Sequence, residues 1–172
     1  TDGVIVSVIF PSGGCASAYQ SGYAPTQTFG VATRTKSRRV FEIDGAPARE
    51  VYAQWTGGAV IPSSPDAPAN ILADSTFAPL GRKGAEVADV PFYLLAHPAT
   101  AHPDDSIEFF ADIAEGEELR LMSGGVESLT SRAGRVAAQA VEQTDGEIAG
   151  ALVIYCGGCM LAVQDHMDDV AA

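Results

Sequence analysis

The sequence predicts an α+β fold in which mixed or antiparallel sheets pack against helices, arranged as two related halves. Three observations support this. Several strand-like runs follow one another across short turns, which is typical of antiparallel pairing. Three other stretches show helical spacing of apolar residues or helix start and stop signals. A proline-rich connection at 58–89, with four of the ten prolines, separates a half at 1–57 from a half at 90–172.

The first half begins with strands. The run "GVIVSVIF" (3–10) is apolar throughout and β-branched, so we expect a buried strand that ends at "PSGG". The segments "TFGVATRT" (28–35) and "RRVFEID" (38–44) lie close together, and they predict a hairpin across the basic turn "RTKSRR".

A helix is expected after this hairpin. Pro47 suits the first turn of a helix, where its missing N–H is not needed. Val51, Tyr52 and Trp55 fall on one helical face, and the pair Gly57–Gly58 ends the element.

The second half predicts strands and then helices. The segments at 91–97, 106–113 and 117–122 are expected to form an antiparallel meander. Residues 125–146 give the clearest helical pattern of the chain, with Gly146 past its end. A last strand at "GALVIYC" (150–156) and a last helix at 160–170 follow.

The composition excludes several classes of partner. The chain has 172 residues, with 22 acidic and 10 basic side chains and a net charge of −12. This charge repels phosphate backbones and anionic lipid, so we expect no nucleic-acid partner. No apolar run reaches the ~18 residues of a membrane helix, and we expect no membrane insertion. Three cysteines in a chain that needs no disulfide indicate reduced thiols and a cytoplasmic location.

Glycine pairs recur where predicted strands end, in "FPSGGC", "LMSGGV" and "IYCGGC". Such turns expose backbone N–H groups, which suit a carboxylate or phosphate, although glycines also serve simply to reverse the chain. Strands that end alike bring their turns to one edge of a sheet, where ligands bind. The predicted ligand-binding residues are Gly13, Gly14, Cys15, Ser123, Gly124, Gly125, Cys156, Gly157 and Gly158.

The motif Cys156–Gly157–Gly158–Cys159 leaves two chemical alternatives open, a redox dithiol and half of a metal site. The other candidate metal ligands, Cys15, His97, His102 and His166, do not have typical spacing. The chain contains neither a G-x-S-x-G elbow nor a phosphate-binding G-x-x-x-x-G-K-[ST] loop. We therefore expect no catalytic residues, no metal and no cofactor.

Three stretches together resemble the FIST sensory domain. "TFGVATRTKSRRVFEIDGAPAREVYAQW" is similar to the end of its N-terminal half, with Ile-Asp-Gly-Ala-Pro-Ala at 43–48 as the specific match. "DSIEFFADIAEGEELRLMSGG" with the following helix, and "GALVIYCGGCML", resemble its C-terminal half. The family usually has Arg where this chain has Cys159, and it continues to a further strand. The chain is therefore expected to be a trimmed core or a short member.

The resemblance implies a small-molecule-binding sensory module of bacterial or archaeal signal transduction, with amino acids or similar carboxylates as ligands. It also implies a signalling output protein or domain as a partner. Because some relatives are associated with haem and nitric oxide, a haem or metal sensor is the alternative function. An oxidoreductase built on Cys156 and Cys159 is the third.

Overall fold

The computed structural model describes residues 3–58, 66–87 and 90–171. The described strands are β1 (Ala24–Lys36), β2 (Arg39–Ile43), β3 (Ala46–Pro47), β4 (Ala69–Asn70), β5 (Leu80–Val87), β6 (Val90–Ala96), β7 (Pro98–Ala101), β8 (Ile107–Phe109) and β9 (Glu118–Ser123). The described helices are α1 (Ala48–Trp55), α2 (Leu72–Ser75), α3 (Val126–Val141), α4 (Gly157–Ala162) and α5 (Met167–Ala171), with a 3₁₀ turn at Gln164–His166.

The strands form one antiparallel sheet in the order β4-β7-β8-β2-β1-β9-β5-β6, and β3 pairs with β2. The long strand β1 joins the two sides of this sheet. Its first part pairs with β9, where Phe29 lies opposite Arg120, and its last part pairs with β2, where Ala32 lies opposite Ile43. The predicted α+β class with an antiparallel sheet is therefore confirmed. The division of the chain at 1–57, 58–89 and 90–172 stays a prediction.

The predicted hairpin and the helix after it are present. Ser37, at the turn between β1 and β2, has a φ of 54°, which is compatible with a tight reversal. In α1 the side chain of Tyr52 is buried and donates a hydrogen bond of 2.8 Å to the carbonyl of Ala78. Val51 and Trp55 pack partly buried against the same core, as their spacing predicts.

The core lies along the middle strands of the sheet. In β9, Leu119 and Leu121 are buried, whereas the intervening Arg120 is only half-buried, because successive side chains of a strand point to opposite faces. Ile43 of β2 and Leu80 of β5 are fully buried in the same cluster. This core positions the ends of β1 and β9.

The two runs predicted to be strands, 3–10 as a buried strand and 150–156 as the last strand, have no regular secondary structure, so both predictions are wrong. Their apolar side chains are largely exposed: 95% for Ile5 and 88% for Ile154. A strand that is apolar on both faces needs a covering layer on each side. The described part of the chain does not supply these layers.

The predicted meander is also wrong. β6 pairs with β5, β8 lies between β7 and β2, and β9 lies between β1 and β5. The segment "PATA" (98–101), which lies between the predicted strands, is strand β7 and pairs with β8. The stretch at 58–89, interpreted as a connection, contributes β4, α2 and β5. Both errors arise because pairing partners in an antiparallel sheet depend on tertiary packing.

The C-terminal part is helical, as expected, with shorter elements. α3 ends at Val141, and it buries Leu129, Thr130 and Arg132 near its first half. The last predicted helix (160–170) is divided into α4, the 3₁₀ turn and α5. A small second cluster joins Leu129 to Cys159 and Val163. Within the described ranges, no helix combines the length and the apolar character needed to span a membrane.

Candidate functional site

The first predicted glycine turn lies apart from the other two. Gly13, Gly14 and Cys15 are exposed in an irregular segment. A Cβ atom added at Gly13 or Gly14 would have no neighbour within 4 Å. These three residues therefore do not stand at the end of a strand.

The second turn connects β9 to α3. Ser123 is the last residue of β9, and Gly125 is the N-cap of α3, where its N–H donates a hydrogen bond of 2.9 Å to the hydroxyl of Ser128. The N–H of Gly124 donates to the carbonyl of Phe77 at 2.9 Å. A Cβ at Gly124 would lie 2.6 Å from the ring of Tyr23. Glycine is therefore required here by the close approach of this ring.

The third turn begins α4. Cys156 is its N-cap residue, and Gly157 and Gly158 are its first two helical residues. A Cβ at Gly157 would meet nothing within 4 Å. Cys156 is exposed, whereas Cys159 is 2% exposed. The two sulfur atoms thus lie in different environments within the same helical turn.

Tyr23 connects the second and third turns. Its ring packs on Gly124, and its hydroxyl lies 3.4 Å from the sulfur of Cys159 and donates a hydrogen bond of 2.8 Å to the carbonyl of Thr76. Burial raises the pKa of the Tyr23 hydroxyl, and the hydrogen bond with Cys159 raises this pKa further. Tyr23 is therefore a neutral phenol at physiological pH.

A buried cation lies beside this tyrosine. Arg132 of α3 is 7% exposed and donates a hydrogen bond of 2.6 Å to the carbonyl of Ser21. Its guanidinium lies 4.7 Å from the ring centre of Tyr155. Burial lowers the pKa of Arg132, but Cys159 and Tyr155 raise it by more, and the side chain stays charged.

His97 completes the surroundings of Tyr23. The two rings meet edge to face, with their centres 5.8 Å apart. Burial lowers the pKa of His97, and the charge of Arg132 lowers it further. Its Nδ1 is buried and makes no hydrogen bond within the described part of the chain. We conclude that this histidine is neutral at physiological pH.

The thiol of Cys156 is stabilised in its ionised form. Burial by itself raises its pKa, but N–H groups of the first turn of α4, from Cys159 and Gly158, lower it. The Cys159 side chain and the charge of Arg132 also lower it, so that the pKa of Cys156 lies below its usual value.

A cavity of about 560 Å³ opens on the other side of Tyr23. It lies between the segment that precedes and begins β1, the start of β6, the end of β9 and one face of α3. Its lining residues are Tyr19, Gln20, Ser21, Gly22, Tyr23, Ala24, Pro25, Pro91, Phe92, Tyr93, Met122, Ser123, Ser128 and Arg135. Of the predicted site residues, only Ser123 is among them. Tyr23 therefore lines the cavity and also contacts Cys159.

The described residues of the cavity do not provide the histidine or cysteine ligand expected for the haem or metal alternative. His102 pairs with Glu108 at 3.3 Å, and His166 pairs with Asp169 at 3.4 Å, each outside the cavity. In the described ranges, no three His, Cys, Asp or Glu side chains lie close enough together to hold a metal ion.

Sequence reasoning missed Tyr23, Arg132 and Arg135. Each is separated by more than 100 positions from a residue that it contacts, such as Arg135 from Gln20. The only local signal is the pair of tyrosines in "SAYQSGYAP" (17–25), a segment that is otherwise polar or small.

Comparison with known proteins identifies the family. The model of the FIST C domain matches residues 48–172, which is more than half of the chain and extends from α1 to the C-terminal end. No curated protein and no solved structure gives a significant match. The similarity of the region before residue 48 to the N-terminal half stays a prediction. The match indicates a sensory module of signal transduction, and the chain belongs to the FIST family through its C domain.

Proposed function

We propose that this module binds a small carboxylate, such as an amino acid, in the cavity beside Tyr23, and that it does so without catalysis. The carboxylate would lie against the guanidinium of Arg135. The rest of the ligand would lie against the aromatic residues of the lining, Tyr19, Phe92 and Tyr93.

The charge of the lining carries this proposal. The whole chain has 22 acidic residues and a net charge of −12, yet none of the cavity residues that the structure describes is acidic and one of them is an arginine. A cavity that excludes carboxylates in such an acidic chain favours an anionic or zwitterionic ligand electrostatically.

The bonding of Arg135 supports a role for it. Its guanidinium donates to neutral oxygens only: the hydroxyl of Ser131 at 2.6 Å, the carbonyl of Ser128 at 3.3 Å and the amide of Gln20 at 3.4 Å. Within the described residues it forms no ion pair with a carboxylate. An arginine of this kind can accept a carboxylate as a bidentate partner.

The shape of the cavity suits a small molecule. Its volume of about 560 Å³ lies within the usual range of ligand sites, roughly 300–1,000 Å³. Tyr19, Phe92 and Tyr93 provide apolar surface with polar edges, whereas Ser123 provides a hydroxyl. This combination suits an amino acid with an apolar or aromatic side chain.

We also propose a cytoplasmic setting and a signalling partner. The three cysteines are free, which is typical of a reducing compartment. The family is sensory, and an output protein or domain would have to respond to the ligand. The same family assignment supports ligand binding, and the described residues of the cavity give no reason to propose a catalysed reaction.

A thermal-shift screen tests the proposal. The probes are the common amino acids, each compared with its amide, which lacks the carboxylate charge. A ligand at about 100 times its Kd adds about 2.7 kcal/mol, which raises the Tm of a domain of this size by roughly 5–10 °C. We expect a carboxylate to give this shift and its amide to give much less.

Two arginine variants locate the binding. Arg135→Gln removes the cavity cation, whereas Arg38→Gln removes an exposed arginine of the β1–β2 turn that lies outside the cavity. We expect the shift to disappear in Arg135→Gln and to persist in Arg38→Gln. Equal shifts in both variants, or no shift with any carboxylate, would contradict the proposal.

A further inference from the structure

The two cysteines of α4 lie outside the cavity, and ligand binding there does not use them. Cys156 and Cys159 are three positions apart, at the N-cap and in the first turn of one helix. Residues at this spacing face the same side of a helix, with Cβ atoms about 5–6 Å apart. Disulfides need a Cβ separation of roughly 3.5–4.5 Å, so a small local adjustment brings the two sulfurs together.

The turn between the two cysteines is loosely surrounded, which leaves room for that adjustment. Gly157 and Gly158 separate the cysteines, and a Cβ at Gly157 would meet nothing within 4 Å. At Gly158 the only neighbours within 4 Å are the sulfur of Cys156, at 3.9 Å, and a methyl of Leu72, at 4.0 Å. The sulfur of Cys156 therefore lies over the first turn of α4.

The two thiols differ in the way that a redox pair requires. Cys156 is exposed, and hydrogen bonds from the helix turn and the nearby Arg132 favour its thiolate. Cys159 is buried among Leu129, Val163 and Tyr23, where a small molecule in solvent does not reach it. An exposed nucleophile next to a sheltered second thiol is the arrangement of an attacking and a resolving cysteine.

We propose that Cys156 and Cys159 form a reversible dithiol–disulfide pair, oxidised by low-molecular-weight disulfides. The thiolate of Cys156 attacks one sulfur of the small disulfide, so that a mixed disulfide forms and one small thiolate leaves. The sulfur of Cys159 then gives up its proton and attacks the sulfur of Cys156, which releases the second small thiol. Two protein thiols are oxidised by two electrons, and one small disulfide is reduced to two thiols.

Oxidation has a consequence for Tyr23. The sulfur of Cys159 lies 3.4 Å from the Tyr23 hydroxyl, and in the disulfide this sulfur has neither a proton to donate nor a negative charge. Since the ring of Tyr23 forms a wall of the cavity, the redox state of the pair acts on that wall directly.

The experiment uses Cys15→Ser protein, because Cys15 is an exposed third thiol. The protein is equilibrated in glutathione buffers of increasing oxidised fraction, quenched by alkylation and measured by mass spectrometry. We expect the loss of both thiols together, with a mass lower by two hydrogen atoms and no attached glutathione. Return to the reducing buffer restores both thiols.

Two further variants assign the roles. In the Cys15→Ser background, Cys159→Ser is expected to hold one glutathione on Cys156, because the resolving sulfur is gone. Cys156→Ser is expected to leave Cys159 unmodified at the same glutathione ratio, and this variant alters only an exposed side chain. The proposal is wrong if the pair stays reduced across these buffers, or if Cys159 takes up glutathione in Cys156→Ser protein.

Discussion

The hydroxyl of Tyr23 lies 3.4 Å from the sulfur of Cys159, although 136 positions separate the two residues in the chain. The same hydroxyl donates a hydrogen bond to the carbonyl of Thr76, and the tyrosine ring fills the space beside Gly124. Tyr23 thus joins the start of β1, the end of β9 and α4. This contact connects the cavity with the cysteine pair.

The first prediction concerns the hydroxyl of Tyr23. Tyr23→Phe keeps the ring and removes the hydrogen bond to the Thr76 carbonyl, so we expect a loss of about 1–2 kcal/mol in the free energy of unfolding. Urea denaturation measures this loss in the free energy of unfolding. Tyr19→Phe is the matched control, because Tyr19 is 82% exposed and its change should stay within about 0.5 kcal/mol. Equal effects would show that the Tyr23 hydrogen bond contributes nothing.

A second prediction separates the two glycine turns. Gly124→Ala places a methyl group 2.6 Å from ring atoms of Tyr23, and we expect this overpacking to cost about 1–3 kcal/mol. Gly157→Ala meets no atom within 4 Å and should be neutral or slightly stabilising, because alanine favours the helical backbone. Urea denaturation of both variants checks this, and a Gly124→Ala protein as stable as wild type would contradict it.

The third prediction distinguishes the core from the exposed apolar runs. Leu119 is fully buried, and Leu119→Ala should lower the free energy of unfolding by about 2–5 kcal/mol. Ile154 is 88% exposed, and Ile154→Ala should change it by less than about 0.5 kcal/mol. If the run at 150–156 were a buried strand, both substitutions would cost several kcal/mol. Urea denaturation of the two variants decides between these descriptions.

A fourth prediction concerns acid stability at the turn before β8. Hydrogen bonds from the buried Ser106 and from Arg39 lower the pKa of Asp104 from 3.8 to about 2, with Ser106 as the largest cause. Because the folded-state pKa lies below the unfolded value, the ionised carboxylate stabilises the fold above pH 3.8. This stabilisation is lost as the pH falls toward 2.

Asp104→Asn tests this dependence. The Asp104 side chain is half-exposed, so we expect the variant to lose only about 0.2–1 kcal/mol at pH 6. The difference from wild type should disappear near pH 2, as measured by urea denaturation across this range. Asp145→Asn, on the exposed segment after α3, removes the same charge as a control. A constant difference at all pH values would exclude the titration of Asp104 as its cause.

Local patterns predicted the elements that depend on near neighbours. The β1–β2 hairpin follows from two alternating segments around a short turn at Ser37. α1 follows from the spacing of Tyr52 and Trp55 and from the glycines after it, and α3 follows from its apolar periodicity. These elements can be predicted from a few neighbouring residues alone.

Tertiary features could not be predicted in the same way. The apolar runs at 3–10 and 150–156 have strong strand composition, but composition does not say whether a partner strand or a covering layer is present. Likewise, the sequence does not show which residues Arg132 and Arg135 contact, because only the folded chain brings them to Ser21 and Gln20. Of the predicted site residues, Ser123 lies at a strand end, as expected, and lines the cavity, while its role in binding stays a prediction.

A crystal structure with the stabilising carboxylate bound tests the central claim most directly. We expect the carboxylate within hydrogen-bonding distance of the Arg135 guanidinium, with the rest of the ligand against Tyr19, Phe92 or Tyr93. A ligand bound at Gly157 and Gly158, or anywhere else outside this cavity, would contradict the account.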